Sequence, residues 1–318
     1  MKSGHHNTIN IVCPQSFGSL FYLGTLMKQL LNGARVTLSN KYIQNAHNIL
    51  IDEGVTSVVY KRKADVWWTD TPAMIYRDKN ELARILKENN LFRKHYTVSE
   101  FCKQIYRDQG IPVEDTIIPR PVNPILFNYR TDYDNCKYDL CFIGAIDSID
   151  RKNLRLVESV VMKHSINSVF ITNGFLLKRP FITQYNFGSV TDEEKARIIS
   201  SSRFLVFPSF IEGFGMPPLE AMSVGCVPIY SDVPAHNEFC IGIPVKPIDK
   251  YTTFGYGCRI VKYIIDVKDL EEAVKYALGM KKEEYIDLQS KCIERAKYMF
   301  SIFKSRLNYL ISGGDNSG

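Results

Sequence analysis

Long apolar runs are missing from this chain of 318 residues. No stretch of about 18 consecutive apolar residues occurs, which excludes a sequence-evident membrane span. The opening Met1–Thr8 is polar and is followed by no apolar stretch with a small-residue cleavage site. A secretory leader is therefore not expected, and the expected location is the cytoplasm. Eight cysteines are scattered along the chain without a C-x-x-C or a Cys/His cluster. That pattern argues against a zinc site and against a disulfide framework, and for buried free thiols. No internal repeat is visible, and no nucleic-acid module accompanies the basic residues, so no nucleic-acid partner is expected.

What is present is the composition of an ordinary globular protein, 45% hydrophobic and 23% charged, with length for two domains of ordinary size. The net charge of +6 is uneven. Residues 1–125 hold 16 Lys/Arg against 11 Asp/Glu, with a basic run at Lys61-Arg62-Lys63. Such a run reads as a solvated face, or as attraction to an acidic acceptor or an anionic membrane surface.

Short β-rich runs alternate with helix-period segments, the signature of a parallel α/β architecture. In the first half, strands are predicted at 9–14, 36–39, 57–60, 66–68, 96–99 and 116–119, with helices near 20–31, 79–88 and 100–109. Arg120-Pro121-Val122-Asn123-Pro124 and the polar 128–137 read as a linker. A second series has strands at 138–143, 168–172, 204–207 and 227–230. Its helices are predicted at 153–163, 192–200, 217–223, 269–279 and 283–310. The expected domains are 1–125, 126–296, and a terminal helix and tail at 297–318.

The densest signal runs from Phe207 through Glu212-Gly213-Phe214-Gly215-Met216-Pro217-Pro218 to Glu220. A strand ends in a glycine turn and enters a helix, whose first turn tolerates Pro217 and Pro218. A helix start of this kind offers amide donors and the positive end of the dipole to a phosphate. Gly213 and Gly215 allow close backbone approach to a ligand. Glu212 before the loop and Glu220, expected in the first helical turn, read as acceptors for sugar hydroxyls. The competing reading is a dinucleotide fingerprint, with Asp232 as the ribose acid and hence an oxidoreductase. It is disfavoured because Pro218 stands where the third glycine is needed and the motif lies deep in the chain.

These residues resemble the retaining glycosyltransferases of family 4, the glycosyl transferases group 1, through the E-x7-E spacing of Glu212 and Glu220 around E-G-F-G. Phe142-Ile-Gly144 with Arg151-Lys152-Asn153 is similar to the family's glycine strand and R-K-N. Phe187-Gly188-Ser-Val190-Thr-Asp-Glu-Glu194 and Ile118-Pro119-Arg120-Pro121-Val122-Asn123 extend the resemblance. It implies a GT-B fold, two Rossmann-like domains facing a cleft. It also implies metal-independent transfer of a hexose from a nucleotide diphosphate sugar to a hydroxyl, with retention and no separate cofactor. On that basis Glu212 contacts the donor sugar, and Lys152 with Arg151 neutralises the diphosphate. Gly144, Gly213, Phe214, Gly215 and Met216 line the donor, Glu220 holds the ribose, Val190 lies against the base and Gly18 approaches from the acceptor side. The acceptor class stays open among a saccharide, a lipid-linked glycan and a protein glycan, with peripheral contact to an anionic membrane as an accompanying expectation.

Two positions depart from the family. Ala145 stands where many members carry Arg, with Arg151 as its replacement, and the first loop reads Gln15-Ser-Phe-Gly18-Ser without a glycine pair. They motivate an alternative, a catalytically inactive nucleotide-sugar-binding module. Asp70, following Trp67-Trp68 at a strand end, is the acceptor-side candidate for a general base, while the two indoles read as core. His236 reads as a loop hydrogen-bonder, and Tyr298, Phe300, Ile302 and Phe303 as packing.

Overall fold

The computed structural model describes residues 8–13, 19–31, 35–53, 57, 60–70, 74–75, 78–146, 150–255 and 258–312. They divide into two compact units. One is drawn from Met1–Pro121, Tyr256–Arg259 and Ser301–Gly318, the other from Val122–Gly255 and Ile260–Phe300.

The first unit contains β1 (Thr8–Val12), α1 (Ser19–Leu30), β2 (Arg35–Ser39), β3 (His47–Glu53), β4 (Val66–Asp70), β5 (Met74–Ile75), α2 (Lys79–Asn89), β6 (Lys94–Thr97) and α3 (Glu100–Asp108). Its sheet has the order β2-β1-β3-β4-β6, and each adjacent pair is parallel. Helix starts follow local chemistry. Asp78 accepts from the amides of Asn80 and Glu81 to cap α2, and Ser99 accepts from Cys102 to cap α3. Trp67 and Trp68 are core residues. The Trp68 indole donates to the Ile118 carbonyl at 2.7 Å and stacks on Phe303 at 5.5 Å. Phe303 is fully buried, whereas Tyr298 is exposed and does not serve as packing.

Two expectations fail in this unit. The β-branched run at 57–60 is not a strand where it is described, since Tyr60 lies in a turn; residues 58–59 lie outside the described residues. The strand that precedes it is β3, whose buried Asn48 accepts from the Asn10 side chain and donates its backbone N–H to Asp65, partners that an apolar-run reading does not register. The segment 116–119 contributes a single bridge, Thr97 to Ile117, rather than a strand.

The second unit contains β7 (Tyr138–Ile143), α4 (Leu154–His164), β8 (Ser168–Ile171), β9 (Ile182–Tyr185), α5 (Asp192–Ser200), β10 (Ser202–Phe207), α6 (Met216–Val224), β11 (Val227–Ser231), α7 (Pro234–Asn237), β12 (Ile243–Val245), β13 (Asp249–Gly255), β14 (Cys258–Ile264), α8 (Val267–Leu278) and α9 (Lys282–Ser312); the first two residues of β14 and the last residues of α9 count with the first unit. Six parallel strands take the order β12-β11-β10-β7-β8-β9. Phe142, Phe170, Phe204 and Phe207 are fully buried along these strands. That is how both covered faces of a parallel sheet are filled.

One crossover is unusual. Parallel neighbours normally need a connection of about a dozen residues or more, commonly a helix. Between β8 and β9 the chain crosses through residues 172–181 without a helix. The loop is pinned to α4, with Arg155 donating to the Phe175 carbonyl at 2.7 Å and the Leu177 amide donating to Glu158 at 3.1 Å. A cavity of about 750 Å³ remains between this loop and Ile182 and Gln184 of β9, with Asn186 just beyond the strand. Cys13, Cys102, Cys136, Cys141, Cys226, Cys240 and Cys292 are free thiols, all but Cys136 buried. Among the described residues no helix is long and apolar enough to cross a membrane.

Candidate active site

Strand order locates the site. From β7 the chain moves outward to β8 and β9, and from β10 it moves the opposite way to β11 and β12, while β7 and β10 lie side by side. The crevice beyond the carboxyl ends of such a diverging pair is where open α/β sheets bind ligands. Two loops leave those ends, one before α4 and one before α6. They are stitched together. The Arg151 carbonyl accepts from the Phe210 amide at 3.2 Å and the Ser209 hydroxyl at 3.1 Å. The Asn153 side chain donates to the Pro208 carbonyl at 2.7 Å. Asp150 (φ 45°) and Asn153 (φ 56°) both adopt the left-handed conformation on either side of Arg151-Lys152. Asn and Asp reach it more readily than other residues.

This stitching brings Arg151, Lys152 and Glu212 together. Glu212 is buried. Its Oε2 accepts from Arg151 Nη1 at 3.1 Å, and its Oε1 from Lys152 Nζ and from Ser209 Oγ, the latter at 2.6 Å. Burial alone would raise the carboxyl's pKa, but Lys152 and then Arg151 outweigh it and hold it at about 2. Glu212 is thus an ionised hydrogen-bond acceptor, not a proton shuttle, at any physiological pH. Lys152 also lies over the Phe207 ring at 4.5 Å. Gly144 explains its path, since a Cβ there would sit 2.9 Å from Lys152 Cγ.

The glycine loop is rigid for definite reasons. Gly215 caps α6 at φ +95°, and a Cβ would meet His236 Nε2 at 2.7 Å. Phe214 is buried and stacks on Phe239 at 4.5 Å, so only the backbone of the loop is offered outward. Met216 opens the helix and is buried; Gly213 precedes it in the same loop.

Glu220 is the fifth residue of α6, a turn later than expected, and is buried. Lys195 of α5 donates to its Oε1 at 2.8 Å and to Asp192 at 3.0 Å. Burial alone would lower the Lys195 pKa, yet these two carboxylates raise it above its ordinary value. Val190 stands half-buried just before Thr191, which caps α5 in a capping box with Glu194. Asp70 belongs to the first unit, where buried Arg120 holds its carboxylate at 3.1 Å. Gly18 lies outside the described residues. Ser209 and Lys195 were not singled out by sequence. Lys195 directly follows the segment that carried the resemblance at Glu194, whereas nothing in the spacing marks Ser209.

Comparison with known proteins gives the geometry its relatives. The family described as "Glycosyl transferases group 1" matches residues 183–242. "Putative glycosyltransferase 41" of Sulfolobus islandicus filamentous virus (isolate Iceland/Hveragerdi) is 30% identical over 241 residues, covering 75% of this chain and 68% of the relative. O-antigen chain mannosyltransferase B of Escherichia coli is 48% identical over 51 residues, 16% of this chain and 13% of that protein. Among solved structures, Anabaena HepE in complex with UDP-glucose aligns with a TM-score of 0.67 at 11% identity, over 96% of this chain and 99% of that one. The two parallel sheets thus match GT-B glycosyltransferase structures, and the chain belongs to the glycosyl transferases group 1 family.

Proposed function

We propose that this protein transfers a hexose from a nucleotide diphosphate sugar to a hydroxyl acceptor with retention of configuration. The observation that carries the reading is the buried Glu212 carboxylate held by Arg151 and Lys152 where the strand order diverges. A buried carboxylate with two cations beside a glycine loop suits a ligand that brings both hydroxyls and phosphates. When the bond from the sugar to the diphosphate breaks, negative charge grows on the departing oxygen. Arg151, Lys152 and the N-terminus of α6 are the groups that stabilise it, which is where such an enzyme gains rate. These cations supply the charge that a metal would otherwise bring.

Glu212 accepts from a sugar hydroxyl, with Gly144, Gly213, Phe214, Gly215 and Met216 forming the backbone wall. Glu220, beside Lys195, takes the ribose hydroxyls, and Val190 meets the base. Gly18 and Asp70 serve the acceptor side, Asp70 as general base. A hexose donor is supported by the mannosyl activity in the name of one relative and the UDP-glucose bound by another. The basic excess of residues 1–125 supports a cytoplasmic enzyme that touches an anionic membrane peripherally, with a saccharide, lipid-linked glycan or protein glycan as acceptor.

The test is a thermal-shift screen with UDP-glucose, GDP-mannose and ADP-glucose, with NAD as control. A turnover assay follows release of the nucleoside diphosphate. Stabilisation by one donor and turnover that falls by about 10²–10³-fold in Glu212→Ala are expected. Binding without turnover across a panel of acceptors favours the inactive module, and a shift with NAD alone ends the transferase reading.

A further inference from the structure

His236 has one ring nitrogen accounted for and one not. Its side chain is fully buried in α7, just past β11. Nδ1 lies 2.9 Å from the Ser231 carbonyl. A carbonyl oxygen only accepts, so Nδ1 carries the hydrogen and Nε2 of the neutral ring is a bare acceptor. Among the described residues, Nε2 has no hydrogen-bond partner, a rare and costly condition for a buried polar atom. That nitrogen faces the glycine loop. A Cβ on Gly215 would lie 2.7 Å from Nε2 and 3.8 Å from Glu212 Cγ.

The charges around the ring come from two loops. Glu212 follows β10 and attracts a proton to the imidazole, while Lys152 precedes α4 and repels one. Burial is the largest influence and keeps the ring neutral, against the pull of Glu212 and the Ser231 carbonyl. The other faces are the rings of Phe207, Tyr230 and Phe239, with Cys240 donating its amide to the His236 carbonyl at 2.8 Å. Burial pushes the Tyr230 hydroxyl and the Cys240 thiol upward, so both stay uncharged. In the donor-free protein the pull of Glu212 on the ring proton exceeds the repulsion from Lys152, and only burial holds the ring neutral. A nucleotide diphosphate sugar adds two phosphate charges and draws on both cations.

We propose that His236 is a positioning residue that takes up a proton from solvent at Nε2 when the donor diphosphate binds, becoming the counter-charge beneath Glu212 and the glycine loop. This inference rests on the donor reading above and adds a coupled proton to it. The atom balance is simple: one solvent proton joins the Nε2 lone pair, Nδ1 keeps its hydrogen, and release of the diphosphate returns the proton.

Calorimetric titration of the full chain with UDP-glucose, GDP-mannose and ADP-glucose, in phosphate and in Tris at pH 7, tests it. These donors have no phosphate ionisation near neutrality, so any proton gained belongs to the protein. Uptake approaching one proton per bound donor is expected, with affinity falling up to tenfold per pH unit between pH 6 and 8. His236→Asn, which keeps an N–H for the Ser231 carbonyl, should bind donor without that uptake or slope. Donor binding without proton uptake by the unaltered protein, or uptake that persists in His236→Asn, overturns the proposal and leaves the donor reading standing. Should the variant fail to fold, the assigned His236 Cε1–H resonance, titrated with and without donor, decides the matter: an unshifted titration overturns the inference. If none of the three donors binds, the donor reading falls and this inference falls with it.

Discussion

At the scale of single residues, Glu212 and Gly144 show how little room the donor site leaves for substitution. Glu212 is held at about 2 against an ordinary 4.5. A carboxyl depressed on folding adds stability that is complete above the unfolded value and lost as the pH falls through the folded one. The window here is pH 4.5 down to 2, and the contribution is on the order of 3 kcal/mol. Denaturant titrations at pH 7 and pH 3 should show a smaller acid loss in Glu212→Gln than in the unaltered protein. Gly144→Ala makes a different prediction. Its Cβ would press on Lys152 Cβ and Cγ, at 3.0 and 2.9 Å, and swing the ammonium away from Glu212. Weaker donor affinity by about tenfold, with a lower melting temperature from the weakened Lys152–Glu212 pair, is the expected result. A variant that binds as tightly as the parent would show that Lys152 does not meet the diphosphate.

At the scale of elements, the polar interior of the first unit has its own pH signature. His95 of β6 is buried, with Nδ1 2.8 Å from the Pro112 carbonyl and Nε2 2.8 Å from the Thr69 hydroxyl. Burial lowers its pKa to about 4, partly offset by the Pro112 carbonyl. The unfolded chain therefore binds more protons between pH 6.5 and 4, and stability falls as the pH drops through that window, by up to about 3 kcal/mol. Replacement of His95 by Gln should flatten the stability profile between pH 4 and 6.5. Legibility also differs from element to element. Strands β7 and β10 each end in a run of four apolar residues and were readable, as were helices with a polar cap, such as α5 after Thr191. Strand β3 was not, because its buried Asn48 looks polar until its partners are known. Strands β9 and β12 are four and three residues long, too short for a period to emerge. In the site, the motif spacing marked Glu212, Glu220 and Lys152. It gave no sign that Arg151 and Glu212, 61 positions apart, touch, nor that Lys195 neutralises Glu220.

At the scale of the whole molecule, the chain leaves the first unit at Pro121, contributes to it briefly at 256–259, and contributes its closing segment from Ser301. The returning segment is not ornamental. Phe303 covers Trp68, Tyr309 packs near Tyr96 at 6.0 Å, His47 Nε2 donates to the Leu310 carbonyl at 2.8 Å, and Arg306 donates to the Ile117 carbonyl. Loss of a buried Phe alone costs about 3–5 kcal/mol. A chain ending at Phe300 should therefore lose the first unit selectively. Limited proteolysis is expected to cut within residues 19–121 while the second unit persists as a resistant fragment. Equal resistance of both units would show that the first unit holds without its C-terminal segment.

The helix-less crossover between β8 and β9 has a practical consequence for engineering. Its two anchors to α4 end at Leu177, and the next residues, Lys178 and Arg179, are exposed. Lengthening a surface loop beyond its anchors adds little closure entropy, about 0.6 kcal/mol for each doubling. The peptide bond after Lys178 is thus a natural point at which to splice in a fluorescent or affinity module, leaving both termini and the donor loops as they are.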